Sequence, residues 1–331
     1  MTSRELCRRA IEFGKPERLP INYPSLGVFD AVLLHYTAPA GWEPSEPGED
    51  EWGAVWQQTE VENMGQIVKH PVADWALLER YAFPSPNEDS RFDLIETELK
   101  KFPDKYVMAS AAPVFTLWER YYSIRGFDQG LMDFYVYPDN AHALLERLLA
   151  FHVGIMKNLG RRFGGRIDGF LVSDDWGTQY STLLAVPVWR EFFKERYRRL
   201  CDAIHDAGMH AILHSDGKIN DLLPDLVEVG FDAFHLHSPT VLGIEEVGRD
   251  FAGKAAFLAC VDIQNTFARG TPEDVRSEAK MLLEHWGTPD GGFMACEYGR
   301  EAVGAPEENL KAAYETFVEL GVEHCGAAHR T

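Results

Sequence analysis

The stretch HAILHSDGKINDLL, His210 to Leu223, sets His214 and Asp216 two residues apart directly behind an apolar run. A turn after a strand needs only Ser215, Asp216 and Gly217, so the histidine calls for a separate reason. His-x-Asp offers two potential ligands on one side of an extended segment. A cysteine can join them from a neighbouring loop, and Cys296 follows another apolar run, GFMA. Three protein ligands and one open position is the arrangement of catalytic zinc, which binds and deprotonates a thiol or polarises an oxygen. The proposed metal set is therefore His214, Asp216 and Cys296. No Cys-x-x-Cys or His-Glu-x-x-His accompanies it, and an ion-pair network is the competing explanation.

Other chemistry-bearing residues follow apolar runs in the same way. Asn22 and Tyr23 end the first. Glu119 and Arg120 come after YVMASA, and Asp174-Asp175-Trp176 with Gln179 after GFLVS. His237 follows DAFHL, Asp262 and Gln264 follow AFLACV, and Glu297 and Tyr298 follow Cys296. Plainer readings stand beside each. Asp216 could cap a helix beginning near Ile219, and Asp175 could be a turn residue. Two adjacent acids exceed what one cap needs. His235, inside its run, reads as a hydrogen-bonded core residue. Cys260 and, taken alone, Cys296 read as small hydrophobes.

These residues need elements to hold them. Thr2-Ser3-Arg4-Glu5 has the form of a capping box, opening a helix to about Phe13. A short strand is expected over Leu19–Tyr23 and an exposed acidic loop over Pro39–Glu51. From Tyr106 onward six strand-length apolar runs alternate with helical patterns, among them Asp139–Leu159, Val188–Ala207 and Ile219–Val229. Thr271-Pro272-Glu273-Asp274 marks a helix start, and Gly321 is expected to end the last helix. Strand–helix alternation implies a parallel sheet. With the strand near Leu19 and one more near the C-terminus the count reaches about eight. The chain then reads as one domain, residues 1–331, a single (β/α)8 TIM-type barrel with an N-terminal helical and loop extension. A doubly wound open sheet is the alternative, but its glycine-rich phosphate fingerprint is missing.

Composition narrows the partners. Of 331 residues, 52 are Asp or Glu against 32 Lys or Arg, a formal charge of −20. That excess disfavours nucleic acid and anionic membranes. No apolar run reaches membrane-spanning length, and the N-terminus lacks a signal-peptide core. Five scattered cysteines read as reduced thiols of a cytoplasmic protein.

The chain resembles the uroporphyrinogen decarboxylase-like superfamily. TSRELCRRAIEFGKPERLPINY matches that family's opening helix and Lys-Pro-x-Arg-x-Pro. LVSDDWGTQ, HSDGKINDLLPDLVEVGFDAF, VDIQNTFARGTPEDV and GGFMACEYG with APEENLKAAYETF follow its later blocks in order. The resemblance implies a (β/α)8 barrel. True decarboxylases of the family carry an arginine-rich Arg-Gln-Ala-Gly-Arg signature that holds substrate carboxylates; here the matching INYPSLGVFDAVLL has no arginine. The other branch, corrinoid-dependent methyltransferases, often binds zinc through His-x-Cys and a distant Cys. His214 and Cys296 stand at those places, Asp216 replaces the middle Cys, and the usual Gly-Cys-Gly setting is absent. An Asp ligand makes zinc harder and more Lewis acidic, which favours activating an oxygen. The resemblance thus implies methyl transfer from a small O-methyl donor, aromatic ones included, to a corrinoid on a partner protein. Asp175 or Glu297 would act as general acid beside the metal. Asn22, Tyr23, Glu119, Trp176, Gln179, His237, Asp262, Gln264 and Tyr298 would contact substrate, and Trp118 would line the pocket or sit in the core. The rivals are a metal-free decarboxylase or lyase using Asp175, His214 and Arg300, and a non-catalytic member binding a ligand or a corrinoid protein.

Overall fold

A computed structural model describes residues 1–59 and 65–326. Eight parallel strands form its centre: β1 (Ile21–Tyr23), β2 (Ala31–His35), β3 (Tyr106–Ser110), β4 (Gly169–Ser173), β5 (His210–His214), β6 (Ala233–Leu236), β7 (Ala256–Ala259) and β8 (Phe293–Cys296). They pair in the order β1-β8-β7-β6-β5-β4-β3-β2. The two ends meet where the Asp30 N–H donates to the Ile21 carbonyl at 2.9 Å and the Ala31 N–H reaches Asn22 Oδ1 at 3.4 Å. The sheet is a (β/α)8 barrel with helices outside. Val28–Phe29 folds back antiparallel on β1, and Val55–Gln57 pairs with Gln66–Lys69 in a separate two-stranded sheet.

Two expectations are corrected here. The eighth strand is Ala31–His35, not a segment near the C-terminus, where a helix runs from Glu307 to Gly326. Gly321 does not end that helix. A Cβ there would lie 2.6 Å from Leu19 Cβ, so the glycine serves close packing of helix on chain. Thr271 does cap as its sequence implies: Asp274 N donates to its Oγ1 at 3.3 Å, and its own N–H reaches Asp274 Oδ2 at 2.8 Å.

The strands read as unbroken apolar runs because both faces are dry. Inward-pointing Met108, Leu171, Ile212, Leu258 and Met294 fill the barrel. Outward-pointing Val107, Phe170, Leu213, Phe234, Phe257 and Phe293 pack under the helices. Above the inner layer, at the C-terminal strand ends, the inward residues turn polar. Ser173, His214 and His235 stand side by side in register on β4, β5 and β6. The other end is closed by the first helix, whose Arg4 and Arg8 reach the buried Asp168 at 2.8 and 3.2 Å. No helix among the described residues is long and apolar enough to cross a membrane.

Candidate active site at the barrel mouth

β5 delivers His214 with its ring already oriented. Nδ1 donates to the His235 carbonyl at 3.0 Å, which turns Nε2 towards the mouth. Nε2 lies 3.8 Å from Asp175 Oδ1 and 4.0 Å from Asp216 Oδ2. From β6, His237 brings Nδ1 to 3.7 Å from the same Asp216 oxygen, while its Nε2 meets His235 Nε2 at 3.2 Å. The Tyr298 ring packs edge-on against His237, centroids 4.8 Å apart.

The loops after β4 and β5 are tied together. The Asp216 N–H donates to Asp175 Oδ1 at 2.8 Å, and the Gly177 N–H to the Asp216 carbonyl at 3.2 Å. Where they cross, a Cβ on Gly177 would come within 2.4 Å of the Gly217 backbone. The turn reading of Asp216-Gly217 is thus half right. The glycine, at φ +78°, makes the crossing, while the carboxylate caps nothing, since the following helix begins only at Leu223.

The adjacent acids divide their work. Asp174 is fully buried and accepts from the N–H groups of Leu117 and Glu119, at 3.0 and 2.8 Å, and from the Tyr197 hydroxyl at 2.6 Å. It anchors the start of helix Trp118–Arg125, and burial pushes its carboxyl up to about 7. Asp175 is left for the mouth. Glu119 is buried with Oε2 accepting from Ser173 Oγ at 2.6 Å. Burial, then the charges of Asp175 and Asp174, raise it well above the usual carboxylate range. Burial would also raise Asp216, but the imidazoles of His237, His214 and His235 outweigh it and hold the carboxyl low. Burial lowers His237 and His235 below the ordinary histidine range.

Several sequence candidates are engaged elsewhere. Cys296 lies on β8, three strands round the barrel from β5. Its thiol, packed with Met294 and Leu258, is pushed up to about 12 by burial and by Glu297. It belongs to neither cluster of potential ligands among the described residues. The Glu297 carboxylate accepts from Ser25 N–H at 2.9 Å and from its hydroxyl, joining the ends of β1 and β8 and not presenting a free acid. Asp262 is fully buried and accepts from the N–H groups of Gln264 and Asn265, both at 3.0 Å, and from Thr240 Oγ1. Trp176 is core, stacked on Trp118 and donating to Tyr197 Oη at 2.9 Å. Tyr23 points outward against Tyr314, and Asn22 pins the barrel seam. Gln179 and Gln264 are exposed. The mouth therefore gathers Asp175, His214, Asp216, His237 and Tyr298, with Glu119 behind. His235, read from sequence as a hydrogen-bonded core residue, does bond His237 through Nε2 and also stands with His214 and His237 as a potential ligand group.

The donor set suits a metal. Asp175, His214 and Asp216 each offer one ligand atom within 4.8 Å of the others, as do His214, His235 and His237. Asp216 Oδ1, His237 Nδ1 and His235 Nδ1 are buried without a hydrogen bond. Buried polar atoms left in this way on Asp216 and on the His237 that faces it at 3.7 Å suit a cation held beside them.

The uroporphyrinogen decarboxylase (URO-D) family model matches residues 59–320. A methyltransferase from Methanosarcina mazei superposes with a TM-score of 0.72 at 17% identity, covering 97% of this chain and 99% of that one. Xylanase 10B from Thermotoga petrophila aligns at a TM-score of 0.47 and 12% identity over 97% and 98% of the two chains, too loosely to carry weight. No curated protein matches in sequence. With the family model spanning most of its length, the chain belongs to the uroporphyrinogen decarboxylase family.

Proposed function

We propose that the chain is a methyltransferase working at the barrel mouth, moving a methyl group from a small O-methyl donor to a corrinoid carried by a partner protein. The carrying observation is that the mouth gathers His214, Asp216 and Asp175 around one point, with no arginine in the INYPSLGVFDAVLL segment to clamp a polycarboxylate. Family membership and a fold shared with the Methanosarcina mazei methyltransferase agree with this reading. The zinc that the methyltransferase branch implies would be held at His214 and Asp216. Once bound, it would polarise the oxygen that loses the methyl group.

The chain's own side chains do the rest. The His235 carbonyl holds the His214 ring in the tautomer that presents Nε2. Asp175, tied to the Asp216 backbone, fixes the distance between the two loops. Glu119, its pKa raised by burial beside Asp175, is the carboxyl behind the mouth that would supply a proton to the departing oxygen.

The test is turnover with free cob(I)alamin and a panel of methanol, alkyl methyl ethers and aryl methyl ethers, following methylcobalamin by absorbance and the demethylated product by mass spectrometry. Activity with at least one donor, cut roughly 10²-fold or more in His214→Ala, is expected, the scale typical of losing one charge-stabilising group. Carbon dioxide release from small carboxylic acids with no methyl transfer would replace this reading with a decarboxylase.

A further inference from the structure

We infer that the mouth binds a divalent cation through a cysteine-free set, Asp175, His214 and Asp216, with His237 set against the Asp216 oxygen that faces His214. The inference rests on the methyltransferase reading only for its biological use; the binding itself is argued from geometry. His214 Nε2 stands 3.8 Å from Asp175 Oδ1 and 4.0 Å from Asp216 Oδ2, and all three ligand atoms fall within 4.8 Å of one another. Ligands bonded to a tetrahedral zinc at about 2.0–2.2 Å stand about 3.3–3.6 Å apart. Closing the set takes a contraction of about 0.2–0.7 Å at His214 and at most about 1.5 Å between the two carboxylate oxygens, as expected when a cation replaces the repulsion between them.

A second observation points to the same spot. His237 is more than nine-tenths buried, and its Nδ1 has no hydrogen bond though it faces Asp216 Oδ2 at 3.7 Å. Asp216 Oδ1 is likewise buried and unpartnered. One oxygen of the carboxylate, Oδ2, therefore faces two imidazoles, and the other, Oδ1, stands idle. Groups that orient a ligating side chain in this way hold it for the ion. Asp175 Oδ1 is kept at its distance by the Asp216 N–H, and a carboxylate oxygen so bonded retains a lone pair for a metal. Cys296, in the buried layer three strands away, contributes nothing. One imidazole and two carboxylates make a harder site than the thiolates of His-x-Cys relatives. The class of ligand served is then an oxygen, as in an alcohol or ether, and not a thiol.

Cobalt(II) titration of the full-length, chelator-stripped protein tests this without any turnover. One equivalent is expected to bind with visible ligand-field bands and no near-ultraviolet thiolate charge-transfer band. Cys296→Ser should leave the dissociation constant unchanged. Asp175→Asn and His214→Ala should each weaken binding at least about tenfold, the lower end of what disturbing a metal's supporting groups costs. Circular dichroism of each variant separates lost ligands from lost fold, and Asp175→Asn, isosteric and half exposed, is the safer of the two. A charge-transfer band that disappears in Cys296→Ser, unchanged affinity in Asp175→Asn, or no bound cobalt would each overturn the inference. Cobalt bound as expected without methyl transfer to any donor would instead sink the methyltransferase reading and leave the site standing.

Discussion

Glu119 shows how one residue's role depends on its neighbours. Its position after YVMASA marked it as a substrate contact, yet it is buried against Ser173, with Asp175 and Asp174 raising its pKa. A carboxyl whose folded pKa is raised weakens the fold as pH climbs from the unfolded value, about 4.3, towards the folded one, because the unfolded chain sheds its proton first. Glutamine has no proton to lose. Glu119→Gln is therefore expected to have a melting temperature close to the wild type near pH 4 and to gain on it steadily towards neutrality. Thermal unfolding across pH measures this; an offset constant at every pH contradicts a buried, protonated Glu119. The same dependence on neighbours separates Asp174 from Asp175. Sequence could say that two acids exceed one cap. Only the fold reveals that Asp174 serves a helix 55 residues away in the chain, through Glu119 N–H.

At the scale of elements, the site depends on two loops crossing at Gly177 and Gly217. No side chain fits there, since a Gly177 Cβ would meet the Gly217 carbonyl carbon, the Lys218 nitrogen and the Asp216 oxygen at 2.4, 2.4 and 2.7 Å. These are backbone atoms, which cannot swing aside. Gly177→Ala is expected to destabilise by roughly 1–3 kcal/mol through overpacking and to weaken metal binding by parting Asp175 from Asp216. Gly299→Ala, whose Cβ would meet nothing within 4 Å, should change neither. Chemical denaturation and cobalt titration of both variants check the pair; equal behaviour would contradict the crossing. Strand positions at the mouth were legible because apolar runs ending in polar residues survive without tertiary information. Helix starts were legible where a cap is local, as at Thr271. The strand Ala31–His35 was not legible, because no α-helix separates it from the first strand, so the strand–helix alternation that marks the others is missing there. Gly321 misled because a glycine that permits close packing looks, in sequence, like one that ends a helix.

At the scale of the whole molecule, the barrel turns residues scattered from Asp175 to Tyr298 into one mouth, and it also keeps some apart. Neighbouring strands lie about 4.8 Å apart, so consecutive strand ends meet directly. β4, β5 and β6 are consecutive and bring Asp175, His214, Asp216 and His237 together. β8 sends Tyr298 to the mouth, while Cys296 packs in the inner layer outside both ligand clusters among the described residues and Glu297 ties the ends of β8 and β1 through Ser25. Strand order is what linear sequence conceals most. Two polar strand ends look alike in a list and differ completely by their place in the ring. The central claim is that the reaction centre is built by β4 to β6 without the β8 thiol. X-ray absorption at the zinc edge of the zinc-loaded protein tests it most directly. The account predicts only nitrogen and oxygen neighbours at about 2.0–2.2 Å, imidazole among them; a sulfur neighbour at about 2.3 Å would contradict it.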